Sequence, residues 1–407
     1  MAKRASTTAS SKAKGDGPML GQSRVVEVQA TQLPTVPAPL PFARIVGQSR
    51  ATSILEDAVA SGRIHHAWVF EGPEGVGKFT TALAFAALLL DPTTQSGLGG
   101  GVVCDEDSPV QRLLRAGTHP DLAVITRELA AFHPDAEVRK LKQTTIPIDV
   151  IRHFVIAAGG LAPGAATSQH SAVGRVFIID EADCMNTAAQ NAILKYLEEP
   201  PARVVLILVC SSPQLLLPTI RSRCQRVSFS SLSRGQLDHW FADAQARTDL
   251  PDTTPEHREF LLGFSDGSPG LLTRAVREGV PGWWDRLHKP LAKAAQGTHA
   301  AELGTTMAKL IDEWAKSQVE KDDRKSKVSA NTTAAGWMFR MLAWQARERL
   351  RRQLAQLRHL TPDTPEPSAL KEIDAIQAAQ AELEANLNLT MVMEKLSAEL
   401  AAASSTQ

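Results

Sequence analysis

The stretch EGPEGVGKFTTALA, Glu71 to Ala84, carries the spacing G-x-x-x-x-G-K, with Gly72, Gly77 and Lys78 at its fixed positions and Gly75 between them. Glycines so spaced let backbone N–H groups turn inward around phosphate oxygens, at the positive end of a helix dipole. Lys78 would then reach the β- and γ-phosphates of a bound ATP or ADP. The next position, where a Ser or Thr hydroxyl would hold magnesium, is Phe79. Thr80 comes one residue too late to face the same way, because a helix turns about 100° per residue. A glycine turn that merely packs a helix onto a sheet is the plainer reading, and it leaves Lys78 without a reason.

A second constellation is VFIIDEAD, Val176 to Asp183. A strand ending in Asp-Glu would aim Asp180 at a magnesium ion, directly or through water, and put Glu181 where it could polarise an attacking water. Acidic residues after a buried strand also serve as helix N-caps, and Asp180 or Asp183 could do only that.

Such residues need a strand ahead of the loop and a helix behind it, and AWVFEG (Ala67 to Gly72) and TALAFAALLL supply them. DLAVIT (Asp121 to Thr126), RVFIID (Arg175 to Asp180) and RVVLILVCSS (Arg203 to Ser212) read as three further strands. They are short, β-branched and continuously apolar, as strands covered on both faces are. The pattern predicts an α/β fold over residues 41–230, a parallel sheet with helices on both faces. Residues 1–40, rich in Ser, Thr, Lys and Pro, read as a disordered tail. Residues 231–282 show helical spacing without a strand and predict a small helical lid domain. Residues 283–407 predict a larger all-helical domain, with Trp337, Met341 and Trp344 on one face and a polar linker at Thr361 to Ser368. The tryptophans beyond residue 280 read as packing anchors.

Composition bounds the function classes. Lys+Arg and Asp+Glu both total 44, so net charge demands neither nucleic acid nor a membrane surface, and 43% hydrophobic content is ordinary for a globular chain. The four cysteines, Cys104, Cys184, Cys210 and Cys224, form no CxxC pair, which argues against a zinc site or a disulfide framework. No apolar run reaches the roughly 18 residues that span a bilayer. A cytoplasmic setting without membrane partners is the expectation. The basic run Arg347, Arg349, Arg351, Arg352 and Arg358 reads most simply as a solvated helix face, with a contact to DNA phosphate or an acidic partner as the sharper alternative.

NAILKYLEEPP (Asn191 to Pro201) and LVCSSPQLLLPTIRSRCQRVSF (Leu208 to Phe229) resemble the clamp-loader branch of the AAA+ ATPases. Ser222, Arg223 and Cys224 stand as that family's Ser-Arg-Cys signature. HPDL (His119 to Leu122), IPIDVIR (Ile146 to Arg152) and the closing ELEANLNLTMVMEKL extend the resemblance over nearly everything after residue 40. It implies an AAA+ P-loop domain, a helical lid and a helical collar through which five subunits form a ring. It also implies that Arg223 is an arginine finger acting in trans at a neighbour's ATP site, a role that contributes about 10³ to 10⁵ in rate. Ser211 matches the family's polar sensor residue near the γ-phosphate, with Ser212 adjacent.

Three departures bear on which member is resembled. Phe79 replaces the magnesium-binding hydroxyl. The motor subunits' Gly-Ser-x-Arg pattern reads here GSPG, with Gly270 in the arginine's place and Arg274 a helical turn on, where it is not expected to reach the same phosphate. Of the motor subunits' four-cysteine zinc module, only Cys104 remains. The resemblance is thus closer to bacterial delta-prime subunits of DNA polymerase III than to gamma/tau. It implies a subunit with little or no ATPase of its own, acting with gamma/tau, delta, the sliding clamp and primed DNA; an active gamma/tau-like motor is the alternative. The DEAD run also fits an RNA helicase, but the helical remainder lacks the second nucleotide-fold domain such a motor needs.

Overall fold

The computed structural model describes residues 36–97, 101–141, 144–159, 173–298, 302–321, 327–356 and 367–404. Residues 1–35 of the expected tail, Arg358 and residues 361–366 of the expected linker lie outside them.

Strand β1 (Ala67–Glu71) leads into the glycine loop, and β2 (Gln95–Ser96) and β3 (Val102–Val103) form a separate antiparallel pair. With β4 (Leu122–Ile125), β5 (Arg175–Ile179), β6 (Val204–Cys210) and β7 (Gln225–Ser228), β1 builds a parallel sheet in the order β4-β5-β6-β1-β7. Helix α1 (Ser49–Ala60) precedes β1, and the connections carry α2 (Lys78–Leu90), α3 (Pro109–Arg115), α4 (Ala136–Arg139), α5 (Ile148–Ile151), α6 (Thr187–Glu198) and α7 (Pro218–Arg221). This is the doubly covered parallel sheet that the AAA+ resemblance implies. Every residue of β1 and β6 is buried. Alternate residues point to opposite faces. Trp68, Phe70, Ile178 and Ile207 enter one core, while Val69, Phe177, Ile179 and Leu206 enter the other.

The sequence pattern leads to four strands, and the sheet has a fifth. β7 pairs with β1 from Trp68 opposite Gln225 to Glu71 opposite Ser228. Of its four residues only Val227 is buried, so this edge strand lacks the apolar run that marks the others.

Beyond Leu232 the described chain is helical: α8 (Arg234–Ala246), α9 (Pro255–Phe264), α10 (Pro269–Arg277), α11 (Val280–Ala294), α12 (Leu303–Lys321), α13 (Lys327–Gln356), α14 (Ser368–Glu384) and α15 (Leu389–Ser404). One core runs from Leu232 to Ala401, and the boundary expected at residue 282 falls inside α11. Trp284 stacks on Phe260 at 5.1 Å and meets Trp344 edge-on at 5.1 Å, so these rings join the lid helix α9 to α11 and α13. The lid segment is thereby fastened to the larger helical region and carries it against the glycine loop.

Candidate functional site

The chain leaves β1 through Gly72 (φ +146°), Gly75 (φ +72°) and Gly77 (φ +101°), and α2 starts at Lys78. A Cβ on Gly72 would come within 2.3 Å of the Phe229 carbonyl oxygen, so only glycine lets the loop pass the end of β7. A Cβ on Gly77 would meet nothing within 4 Å, and that open space is the cradle a phosphate group would fill. Lys78 is buried, and its Nζ donates to the carbonyls of Gly72 (2.7 Å) and Pro73 (2.5 Å) and to Ser211 Oγ (3.1 Å). Burial lowers its pKa from the usual lysine value. Phe79 leans on the sheet's core and offers no oxygen ligand. Thr80 borders the cleft alongside it, whereas the buried Thr81 hydroxyl donates to the Gly77 carbonyl at 2.8 Å.

At the end of β5, burial pushes the Asp180 carboxyl up to about 6, even though the Glu181 N–H donates to its Oδ1 at 3.0 Å. Glu181 adopts a left-handed backbone (φ +50°) and takes a bidentate grip from Arg127, Nε to Oε2 at 2.6 Å and Nη2 to Oε1 at 2.8 Å. The carboxylate expected to polarise water is therefore committed to a cation. Asp183 Oδ2 accepts from the N–H groups of Ser211 (3.3 Å) and Ser212 (2.9 Å). This ties the end of β6 to the acidic turn and sets Ser211 beside Lys78.

The lid closes directly on the loop. Ser268 Oγ donates to the Glu74 carbonyl at 2.8 Å, and the Gly270 N–H donates to the Gly75 carbonyl at 2.8 Å. A Cβ on Gly270 would lie 2.9 Å from Gly75 Cα, so the position matching the motor subunits' arginine is a backbone-to-backbone contact with no room for a side chain. Arg274 reaches the loop by another route. It pairs with the Glu74 carboxylate at 2.5 Å, while Arg340 of α13 approaches the same carboxylate at 3.9 Å. Between the loop, the ends of β5 and β6 and the lid lies a cleft of about 800 Å³, also bordered by Ile45, Val46 and Trp240. Its glycine backbone and Lys78 suit a nucleotide's phosphates. Thr80, Asp180, Glu181 and Asp183 all border it, yet among the described residues no group of three or more His, Cys, Asp or Glu could hold a metal ion.

Arg223 is elsewhere. It shares a second cleft, about 580 Å³, with His65, His66, Glu198, Cys224 and Gln225, none of which borders the first. His65 and His66 precede β1, whereas the phosphate loop follows it. The two clefts thus open at opposite ends of a strand about 16 Å long, at about 3.3 Å per residue. Arg223 cannot serve its own chain's loop. Its Nη2 lies 2.9 Å from Glu198 Oε1 and its Nη1 donates to the Thr219 carbonyl at 3.1 Å.

Sequence reasoning missed Glu74, Arg127, Arg340 and Glu198. Arg127 had one usable signal: it follows β4 at the carboxyl edge of a parallel sheet, where ligands gather.

Residues 47–233, which include both clefts' sheet residues, match the family model described as DNA polymerase III, delta subunit. The match stops at the start of α8, so the lid and the longer helical region lie beyond it. DNA polymerase III subunit delta′ of Pseudomonas aeruginosa is 36% identical over 216 residues, 53% of this chain and 57% of that protein. The Bacillus subtilis delta′ subunit is 30% identical over 185 residues, 46% of this chain and 48% of that protein. DNA polymerase III subunit gamma/tau of Mycobacterium tuberculosis is 31% identical over 196 residues, 48% of this chain and 29% of that protein. The chain thus spans about half the length, or less, of these curated relatives.

Proposed function

We propose that this chain is a delta-prime-like subunit of a DNA polymerase III clamp loader. In this reading it assembles with gamma/tau and delta subunits and helps load the sliding clamp onto primed DNA during replication. Its own chemistry is the guanidinium of Arg223, offered to the ATP site of the next subunit, where positive charge stabilises the developing charge of γ-phosphate transfer. The observation that carries this is Arg223's position in a half-open cleft at the far end of β1 from its own phosphate loop.

The state of the chain's own cleft supports the same reading. Lys78 bonds to loop carbonyls, Glu181 is clamped by Arg127, and Gly270 leaves no lid arginine over the phosphates. Gly72, Gly75, Gly77 and Lys78 would hold the phosphates of ATP or ADP, and Asp180 would face an accompanying magnesium ion. Hydrolysis would lack a free base. The decisive test is ATP turnover by the reconstituted complex with Arg223→Ala: loss at the neighbouring site is expected, and unchanged turnover would sink the proposal.

The second reading, an active motor subunit, draws on the retained Lys78 and Asp180 and on the likeness to gamma/tau. Single-turnover hydrolysis by the isolated chain separates the two, since a motor must show turnover that Lys78→Ala abolishes.

A further inference from the structure

We propose that Glu198 is the positioning residue for the Arg223 guanidinium. The inference rests on the reading that Arg223 acts at a neighbour's ATP site, and it adds what holds the finger ready.

Glu198 is the last residue of α6. A carboxylate there meets the partial negative charge of the helix C-terminus, an unfavourable place unless a cation answers it. Arg223 is that cation, 2.9 Å away, and its other terminal nitrogen is fixed by the Thr219 carbonyl of α7. The planar fork is thus gripped from two elements, which fixes both its position and its plane. The end of α6 is itself anchored: Leu197 is buried, its carbonyl accepts from His66 Nε2 at 3.2 Å, and the His66 ring stacks on His65 at 4.4 Å. The anchor on Glu198 therefore runs back to the start of β1, a strand paired on both sides.

The pair is also in the open, with side chains 38% and 53% exposed. An ion pair so exposed adds little to folding stability. What it does is narrow the rotamers of a long side chain before the neighbour arrives, so less freedom is lost when the finger engages.

The experiment is steady-state ATP hydrolysis by the complex reconstituted from this chain with its gamma/tau and delta subunits. Glu198→Ala should lower kcat about tenfold or more with KM unchanged. Glu198→Gln, which keeps a hydrogen-bonding group at the same reach, should restore most of the loss. Adding Glu198→Ala to Arg223→Ala should change nothing further, and neither variant should shift the thermal midpoint of the isolated chain or its assembly. An unchanged or raised kcat in Glu198→Ala, or a further loss on top of Arg223→Ala, would overturn the proposal while leaving the finger itself intact. An Arg223→Ala complex of full activity would instead overturn the underlying reading.

Discussion

The two clefts of the α/β domain use similar groups to opposite ends. Around the phosphate loop several charges are answered from within: Lys78 by loop carbonyls, Glu181 by Arg127, Glu74 by Arg274 and Arg340. In the other cleft Arg223 is held by one carboxylate and one carbonyl and stays 38% exposed. A carboxylate already paired with an arginine has little charge left to give a metal ion or a water. A cation fixed at an open edge, with part of its surface still exposed, can meet something outside the chain. Under the proposed reading, one fold keeps the shape of a nucleotide site and offers its working charge at the other end of the sheet.

The sharpest way to break this contrast is Arg223→Ala in the assembled complex, which should cost about 10³-fold in single-turnover hydrolysis at the neighbouring site. The same rate in wild type and variant would remove the distinction between the clefts.

Asp180 gives the next largest effect. Its carboxyl titrates near 6 in the fold against an ordinary 3.8, so the folded chain binds the extra proton between those values. Stability therefore falls as pH rises from 3.8 to about 6 and stays lowered above it, by up to about 3 kcal/mol. Asp180→Asn should raise the thermal midpoint at pH 7.5, and the gain should shrink as pH drops through 6 toward 3.8. A gain of the same size at both ends of that range would show that burial of this charge is not what matters.

Gly270→Ala tests the closed lid. Its Cβ would press on Gly75 Cα at 2.9 Å, so a loss of about 2 kcal/mol is expected in chemical denaturation. A neutral result would mean that lid and loop do not touch in solution. The smallest effect belongs to Glu74→Gln. The carboxylate is half exposed and its arginines are shared, so the change should cost under about 1 kcal/mol and shrink in high salt.

Much of this was legible in the sequence. The loop glycines, the four apolar strands and Asp180 at a strand end depend on local spacing, and local spacing dictates backbone conformation. Edge strand β7 was not legible, because one buried valine in four residues carries no pattern. Nor was the fate of Glu181: its partner Arg127 lies 54 residues away and follows a different strand. Glu74 and Arg274 are 200 residues apart, and nothing in either neighbourhood names the other. The expectation that Arg274 stands too far along its helix concerned a phosphate, and the residue found the loop's own carboxylate instead.

The sequence by itself determined which chemistry is on hand: a phosphate cradle with a lysine, an acidic strand end, no hydroxyl at Phe79, and a Ser-Arg-Cys at the close of the sheet. Only the tertiary structure decided which of these groups are paired at the loop and which stay exposed at an open edge. Backbone geometry follows from neighbours in the chain, but an ion pair or a glycine-on-glycine contact follows from neighbours in space, and those are chosen when the sheet and the helical region beyond it pack together. That packing answers the charges of the phosphate loop from within the chain and leaves Arg223 facing outward.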